Sequence, residues 1–232
     1  MFTGHFAIGL ALKESQPKLP VWPIIIGVNF IDILFNIFIL LGWDKATADL
    51  SAGPYFFFTL NFIDWDHSLL MAFVWSIVWG ILFLKNPKLS WIAAVAVFSH
   101  FLADLPLHNH DMALYPHSAE HLGFGLWGSM GIWSWVLEGV FSLILFWYAK
   151  RKAVKRGLNY IWPGMILFAM FFIVSPWLSP MKWIAKQSEP LAHIAMAGVL
   201  LFSILLSSYL FIRYYANNER HKVHRKKILN GF

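Results

Sequence analysis

The chain has 232 residues, of which 59% are apolar and only 13% charged, and its mean hydropathy is +0.60. Those proportions exclude an ordinary water-soluble domain, whose surface needs about twice that share of charge. With no cysteine, disulfide frameworks, thiolate metal sites, iron–sulfur clusters and a Cys nucleophile are excluded, and the net charge of +6 points to nucleic acid only until its distribution is considered.

In chain order, Phe2 to Leu12 is apolar but too short to cross a bilayer. It has neither a preceding positive charge nor a small-residue cleavage pattern, so it does not read as a removable signal peptide. Apolar runs near the roughly 20 residues needed to cross a hydrocarbon core follow at 23–42, 69–84, 91–107, 130–149, 160–178 and 191–215. Each predicts a helix. The second and third are short and draw on aromatic flanks or neighbouring helices. The 13 Trp, 22 Phe and 7 Tyr suit the two bilayer boundaries.

Assigning Lys and Arg to the loops places 15 of the 18 on one side and leaves only Lys45, Lys182 and Lys186 on the other. Basic loops resist translocation, so both termini are expected in the cytoplasm, as an even number of spans requires. No repeat, low-complexity block or Pro/Gly-rich linker divides the chain. The expected fold is a single all-α, polytopic membrane domain over 1–232. Residues 1–125 carry the ionisable groups, 126–215 are supporting helices and 216–232 a basic cytoplasmic tail. Beside a final span, that tail reads as a topology anchor touching anionic lipid instead of a nucleic-acid arm. Membrane lipids are thus the expected partners and nucleic acid is not.

An ionisable side chain in hydrocarbon costs at least about 2.5–3.5 kcal/mol, so each one inside a span needs a compensating role. Asp32, His100, Asp104 and Glu138 fall inside spans, while Asp64, Asp66, His67, His108, His110 and Asp111 crowd the loops on the opposite side from the basic ones. From Leu89 to Ala149 there is no Lys or Arg, and a metal cation is the obvious substitute neutraliser. His100, Asp104 and His108 recur at intervals of four, one stripe of a helix, although Pro106 can end that helix before His108. At 1.5 Å per residue, Asp32 and His100 lie about 13 Å from the cytoplasmic ends of their spans. A re-entrant helix dipping inward from Lys13 would bring His5 about 12 Å down, level with both.

At these residues the chain resembles the bacterial membrane-bound metal-dependent hydrolases of the LexA-regulated, YdjM-like group. That group combines an early Thr-His, a Pro-Asp-x-Asp at the first span, a His-Arg-x-x-Thr-His-Ser segment and a later Ser-His-x-x-x-Asp. Thr3 and His5 resemble a spaced version of the first. Gly27 to Asp32 occupies the second without its Pro, with Leu34 where a second Asp would stand. His67 and Ser68 match the end of the third, with Asp66 in place of Thr and Phe62 in place of the leading His. Ser99, His100 and Asp104 match the fourth in full. The resemblance covers roughly residues 1–120 and implies a bacterial plasma-membrane location.

The resulting expectation is a hydrolase of a lipid or other amphiphile at the extracytoplasmic face. A divalent ion, Zn²⁺ first and Mn²⁺, Fe²⁺ or Mg²⁺ next, would be held by His5, Asp32, His67, His100 and Asp104. Asp64 or Asp66 would serve as general base. His108, His110 and Glu138 would be additional ligands or orienting groups, with a proton relay the alternative for Glu138, and Lys182 and Lys186 would attract a phosphate headgroup. A metal-ion or proton transporter could use the same His/Asp cluster, and an inactive scaffold is the third reading. A purely structural reading makes His100 and Asp104 a hydrogen-bonded pair pinning two helices, with Asn29 and Asn36 satisfying Asp32.

Overall fold

The computed structural model describes residues 1–218 with their side chains and the backbone of the last helix to Asn230. It is mostly helical. Helix α1 (Thr3–Ser15) is followed by α2 (Trp22–Gly27), α3 (Phe30–Leu41), α4 (Asp64–His67), α5 (Leu69–Ile81) and α6 (Pro87–Asp104). Then come α7 (Leu126–Met130), α8 (Ile132–Lys155), α9 (Ile161–Ile173), α10 (Met181–Ile184) and α11 (Leu191–Asn230). By length and composition, α8 and the Leu191–Asn218 part of α11 can cross a membrane, and α3, α5 and α9 are shorter apolar helices. Leu143, Ile144 and Trp147 on α8 and Phe202 on α11 stay exposed, as on a surface facing lipid. The basic side chains from Arg220 to Lys227 lie outside the described residues.

Two features depart from the sequence reading. Residues 45–62 contain a two-stranded antiparallel sheet, β1 (Lys45–Ala48) with β2 (Phe58–Phe62), bulged between Lys45 and Ala46. A second small pair joins β3 (Met112–Ala113) to β4 (His121–Leu122). Both lie on segments read as loops, where short strands leave little periodic signal.

The predicted first span is not one helix but two, α2 and α3. Asn29 leaves helical geometry at φ −114° and ψ 5°, and its side-chain Nδ2 donates to Ile25 O at 2.8 Å. Such local side-chain bonds compete with the backbone ladder. Gly27 just before the break allows close approach to α6, since a Cβ there would stand 3.1 Å from that of Ala96.

At the start of α5, Ser68 Oγ accepts from Met71 N; at the start of α6, Asn86 Oδ1 accepts from Leu89 N with Pro87 in the first turn. Helix α6 ends at Asp104, just ahead of Pro106. The turn nevertheless persists, because His108 N donates to Asp104 O at 2.9 Å, so His108 stays on the stripe of His100 and Asp104.

Helix α1 lies inside the protein, with Phe6, Ala7 and Leu10 fully buried. They pack among Ile25, Tyr160, Ile204 and Phe211. Both ends of α1 are held by buried polar groups. At its start, Glu138 Oε1 on α8 accepts from Phe2 N and Thr3 N (both 2.7 Å), Thr3 Oγ1 (2.9 Å) and Gly4 N (3.3 Å). Its other oxygen accepts from Tyr55 Oη at 2.6 Å. A carboxylate here satisfies amide protons that have no partner within the helix and complements its dipole. At the far end Glu14 pairs with Arg156 and accepts from Tyr215 Oη at 2.7 Å. Lys13 Nζ donates to Leu19 O at 2.6 Å.

Candidate metal centre

Helices α1, α3, α4 and α6 and the turn after α6 each send ionisable side chains to one point. Three overlapping sets converge there: His5, His100 and Asp104; Asp32, His67 and His100; and His67, Asp104 and His108. Within each, the ligand atoms lie within 4.8 Å of one another. Asp104 is the hub. Its Oδ1 is 3.3 Å from His5 Nε2, and its Oδ2 is 3.0 Å from His100 Nε2, 3.7 Å from His67 Nε2 and 3.8 Å from His108 Nε2. Asp32 Oδ1 stands 3.5 Å from His100 Nε2 and 3.7 Å from His67 Nε2.

Most of these separations are too long for a hydrogen bond and are of the order expected between donors about 2.0–2.2 Å from one shared ion. Among the described residues, buried His100 Nε2, Asp104 Oδ2 and both nitrogens of His5 lack a hydrogen bond of good geometry, close as His100 Nε2 and Asp104 Oδ2 are. Unpaired polar atoms of this kind are costly unless something charged sits among them. The donor set therefore fits a divalent cation with imidazole and carboxylate ligands.

Each of three imidazoles is turned to the centre by a bond behind it. His100 Nδ1 donates to Val28 O at 2.8 Å, which leaves Nε2 with its lone pair towards Asp32 and Asp104. His67 Nδ1 lies 2.7 Å from Asp66 Oδ1, and His108 Nδ1 3.0 Å from Asp111 Oδ1. Outer contacts of this type fix the tautomer and raise the basicity of a ligating histidine. His5 is held differently, stacked on His100 with ring centroids 3.7 Å apart and planes 10° from parallel. The Met1 amino group rests against Asp104 Oδ1.

No known protein family, curated protein or solved structure matches the chain.

The five expected ligands, His5, Asp32, His67, His100 and Asp104, all come together, and His108 joins them. The structural alternative for Asp32 is not what the side chains do. Asn29 donates to Ile25 O and Asn36 to the backbone O of Asp32, so neither satisfies the Asp32 carboxylate. The two expected bases lie elsewhere. Asp64 Oδ2 accepts from His117 N at 2.7 Å, and Asp66 sits behind His67. Glu138 orients no imidazole, since its oxygens serve α1 and Tyr55. His110 is exposed and outside the three sets. Lys182 and Lys186 are exposed and line neither cavity described below. The sequence reading gave no role to Val28 O or Asp111. Asp111 carried a usable signal, an acid three residues after a histidine, whereas a backbone carbonyl carries none.

Beyond the end of α3, buried Asp44 stands beside Asp66. Among the described residues neither Asp44 oxygen nor Asp66 Oδ2 has a hydrogen bond of good geometry, and two acids side by side in a buried site favour a proton shared between them. Burial, and then the Asp66 carboxylate, push Asp44 up to about 9. An acid whose folded pKa lies above its unfolded value costs stability progressively as pH rises from the unfolded towards the folded value. Asp44→Asn keeps a donor towards Asp66 and removes that cost. Its melting temperature in detergent is expected to exceed the wild type's near pH 9 and to converge with it in acid; equal pH profiles would show that no proton is shared.

Proposed function

We propose that the protein is an integral-membrane, metal-dependent hydrolase of an ester or phosphoester in a lipid-like amphiphile. The observation that carries this reading is the convergence of back-bonded imidazoles and two carboxylates on the wall of an apolar cavity, which Asp32, His67 and His108 line directly. The resemblance to the YdjM-like hydrolases points the same way. In this reading α2 with α3, α5, α6, α8, α9 and α11 form six crossings, both termini face the cytoplasm of a bacterial cell, and the cluster opens to the outer leaflet. The support is the asymmetric distribution of Lys and Arg, with His108 and Asp111 in the loop beyond α6.

A bound divalent ion, Zn²⁺ by preference for so histidine-rich a set, supplies a water acidified towards neutrality and an electrophile for the ester oxygen. The chain's residues do the rest. Asp66, Val28 O and Asp111 hold His67, His100 and His108 in one tautomer each. Asp104, 1% exposed, offers an oxygen to either side. Asp32 is the one acid of the cluster that is partly exposed and faces the cavity, and it is placed to take the water proton and return it to the leaving oxygen.

The test is hydrolysis of alkyl esters and alkyl phosphoesters by purified protein loaded with Zn²⁺ or Mn²⁺, beside uptake of the same ions into vesicles. Hydrolysis that falls about 10²–10⁴-fold in Asp32→Asn, with metal still bound through the histidines and Asp104, is the expected result. Metal uptake without hydrolysis would make the protein a transporter.

A further inference from the structure

One cavity reaches the cluster and a second, of different character, shares part of its wall. The first, of about 180 Å³, runs from Asp32, His67 and His108 between α3, α9 and α11, and its walls are otherwise mostly aliphatic and aromatic. Its rim includes Ile173 on α9 and Leu206 on α11, which are 54% and 43% exposed, so the cavity reaches the apolar outer surface between those two helices. The second, of about 190 Å³, is lined by Thr59, Asn109, His110 and Asp111. Phe56, Leu60 and Trp127 line both and form the partition. His108 on the apolar side is bonded through that partition to Asp111 on the polar side. Among the described residues no Lys or Arg lines either cavity.

A molecule that fits this division has a hydrocarbon chain at one end and a hydrogen-bonding, non-anionic group at the other, with its scissile link at the cluster between them. Entry at exposed Ile173 and Leu206, between α9 and α11, would admit the chain from the bilayer without passage through water. We propose that the cavity between α3, α9 and α11 seats the single hydrocarbon chain of the substrate, entered from the membrane, and that its headgroup occupies the pocket of Asn109 and Asp111. This rests on the hydrolase reading for the word substrate, but the seat for the chain is tested without catalysis.

The probe is a single-chain alkyl glycoside carrying a diazirine at mid-chain, photolysed with the purified protein and mapped by mass spectrometry. Adducts are expected on cavity-lining Phe35, Met181 or Leu200, competed by the unlabelled glycoside. Labelling there is expected to fall at least about tenfold in Ser203→Phe and, independently, in Ser207→Phe, each of which fills the cavity from α11, with the helical circular dichroism of each variant unchanged. It is expected to persist after chelation, so loss of the metal reading and loss of this one are distinguishable. Adducts confined to outward-facing Phe168 and Phe202, or interior adducts indifferent to both substitutions, would overturn the proposal.

Discussion

Glu138→Ala is expected to lower the stability of the folded protein by about 3–5 kcal/mol, since several buried donors lose their acceptor at about 1–3 kcal/mol each. The carboxylate accepts from three backbone amides, the Thr3 hydroxyl and the Tyr55 hydroxyl, and all five donors would be left facing a void. Water cannot easily replace it, because Thr3 and Glu138 are both fully buried. The consequence reaches the cluster, since the start of α1 carries His5. Tyr55→Phe removes one bond and is expected to cost about 1.5–3 kcal/mol, the range for a bond to a charged group. Thermal unfolding in detergent measures both. A Glu138→Ala protein as stable as wild type would show that α1 is held by its apolar packing alone.

His100→Ala and Asp104→Ala are expected to lose at least about 100-fold in affinity for a divalent cation, more than the 10–100-fold typical of groups that merely orient a ligand. His100 belongs to two of the three converging sets, and the two Asp104 oxygens reach four imidazoles. Asp66→Asn and Asp111→Asn disturb only the back-side bonds of His67 and His108 and are expected to fall in that smaller range. If all four variants bound metal equally, the converging side chains would be a hydrogen-bonded pin between helices and not a coordination site.

Much of this site was legible in the sequence because its cause is electrostatic. Acids and imidazoles placed in apolar runs without Lys or Arg are too costly to be accidental, so Asp32, His100 and Asp104 marked themselves. His5 followed from depth along a helix, and α1 does deliver it to His100. His108 was doubtful because Pro106 ends α6. The doubt was misplaced, since proline lacks an amide proton of its own but does not prevent His108 N from bonding to Asp104 O.

Other elements could not be read. The break between α2 and α3 lies inside a run whose average hydropathy stays high despite Asn29, and hydropathy is blind to a side chain capturing a carbonyl; the break frees Val28 O for His100. The β1–β2 pair lies in a segment too short for strand periodicity to stand out from its turns. Glu138 was recognised as costly but given the wrong partner, because an acid in a span reveals its expense and not what offsets it. Asp64 and Asp66 looked like interchangeable bases, yet their neighbours separate them, one to the His117 amide and the other to the back of His67.

The hydrolase reading requires a cation at the point where the Nε2 atoms of His67 and His100 meet the Asp104 carboxylate, with Asp32 beside it on the cavity side. Anomalous scattering from crystals of the purified protein, recorded across the absorption edges of zinc, manganese and iron, addresses that point directly. The expected result is a peak about 2.0–2.2 Å from those nitrogens and oxygens. Protein saturated with each ion that shows no peak, with His100 and Asp104 joined only to each other, would contradict it.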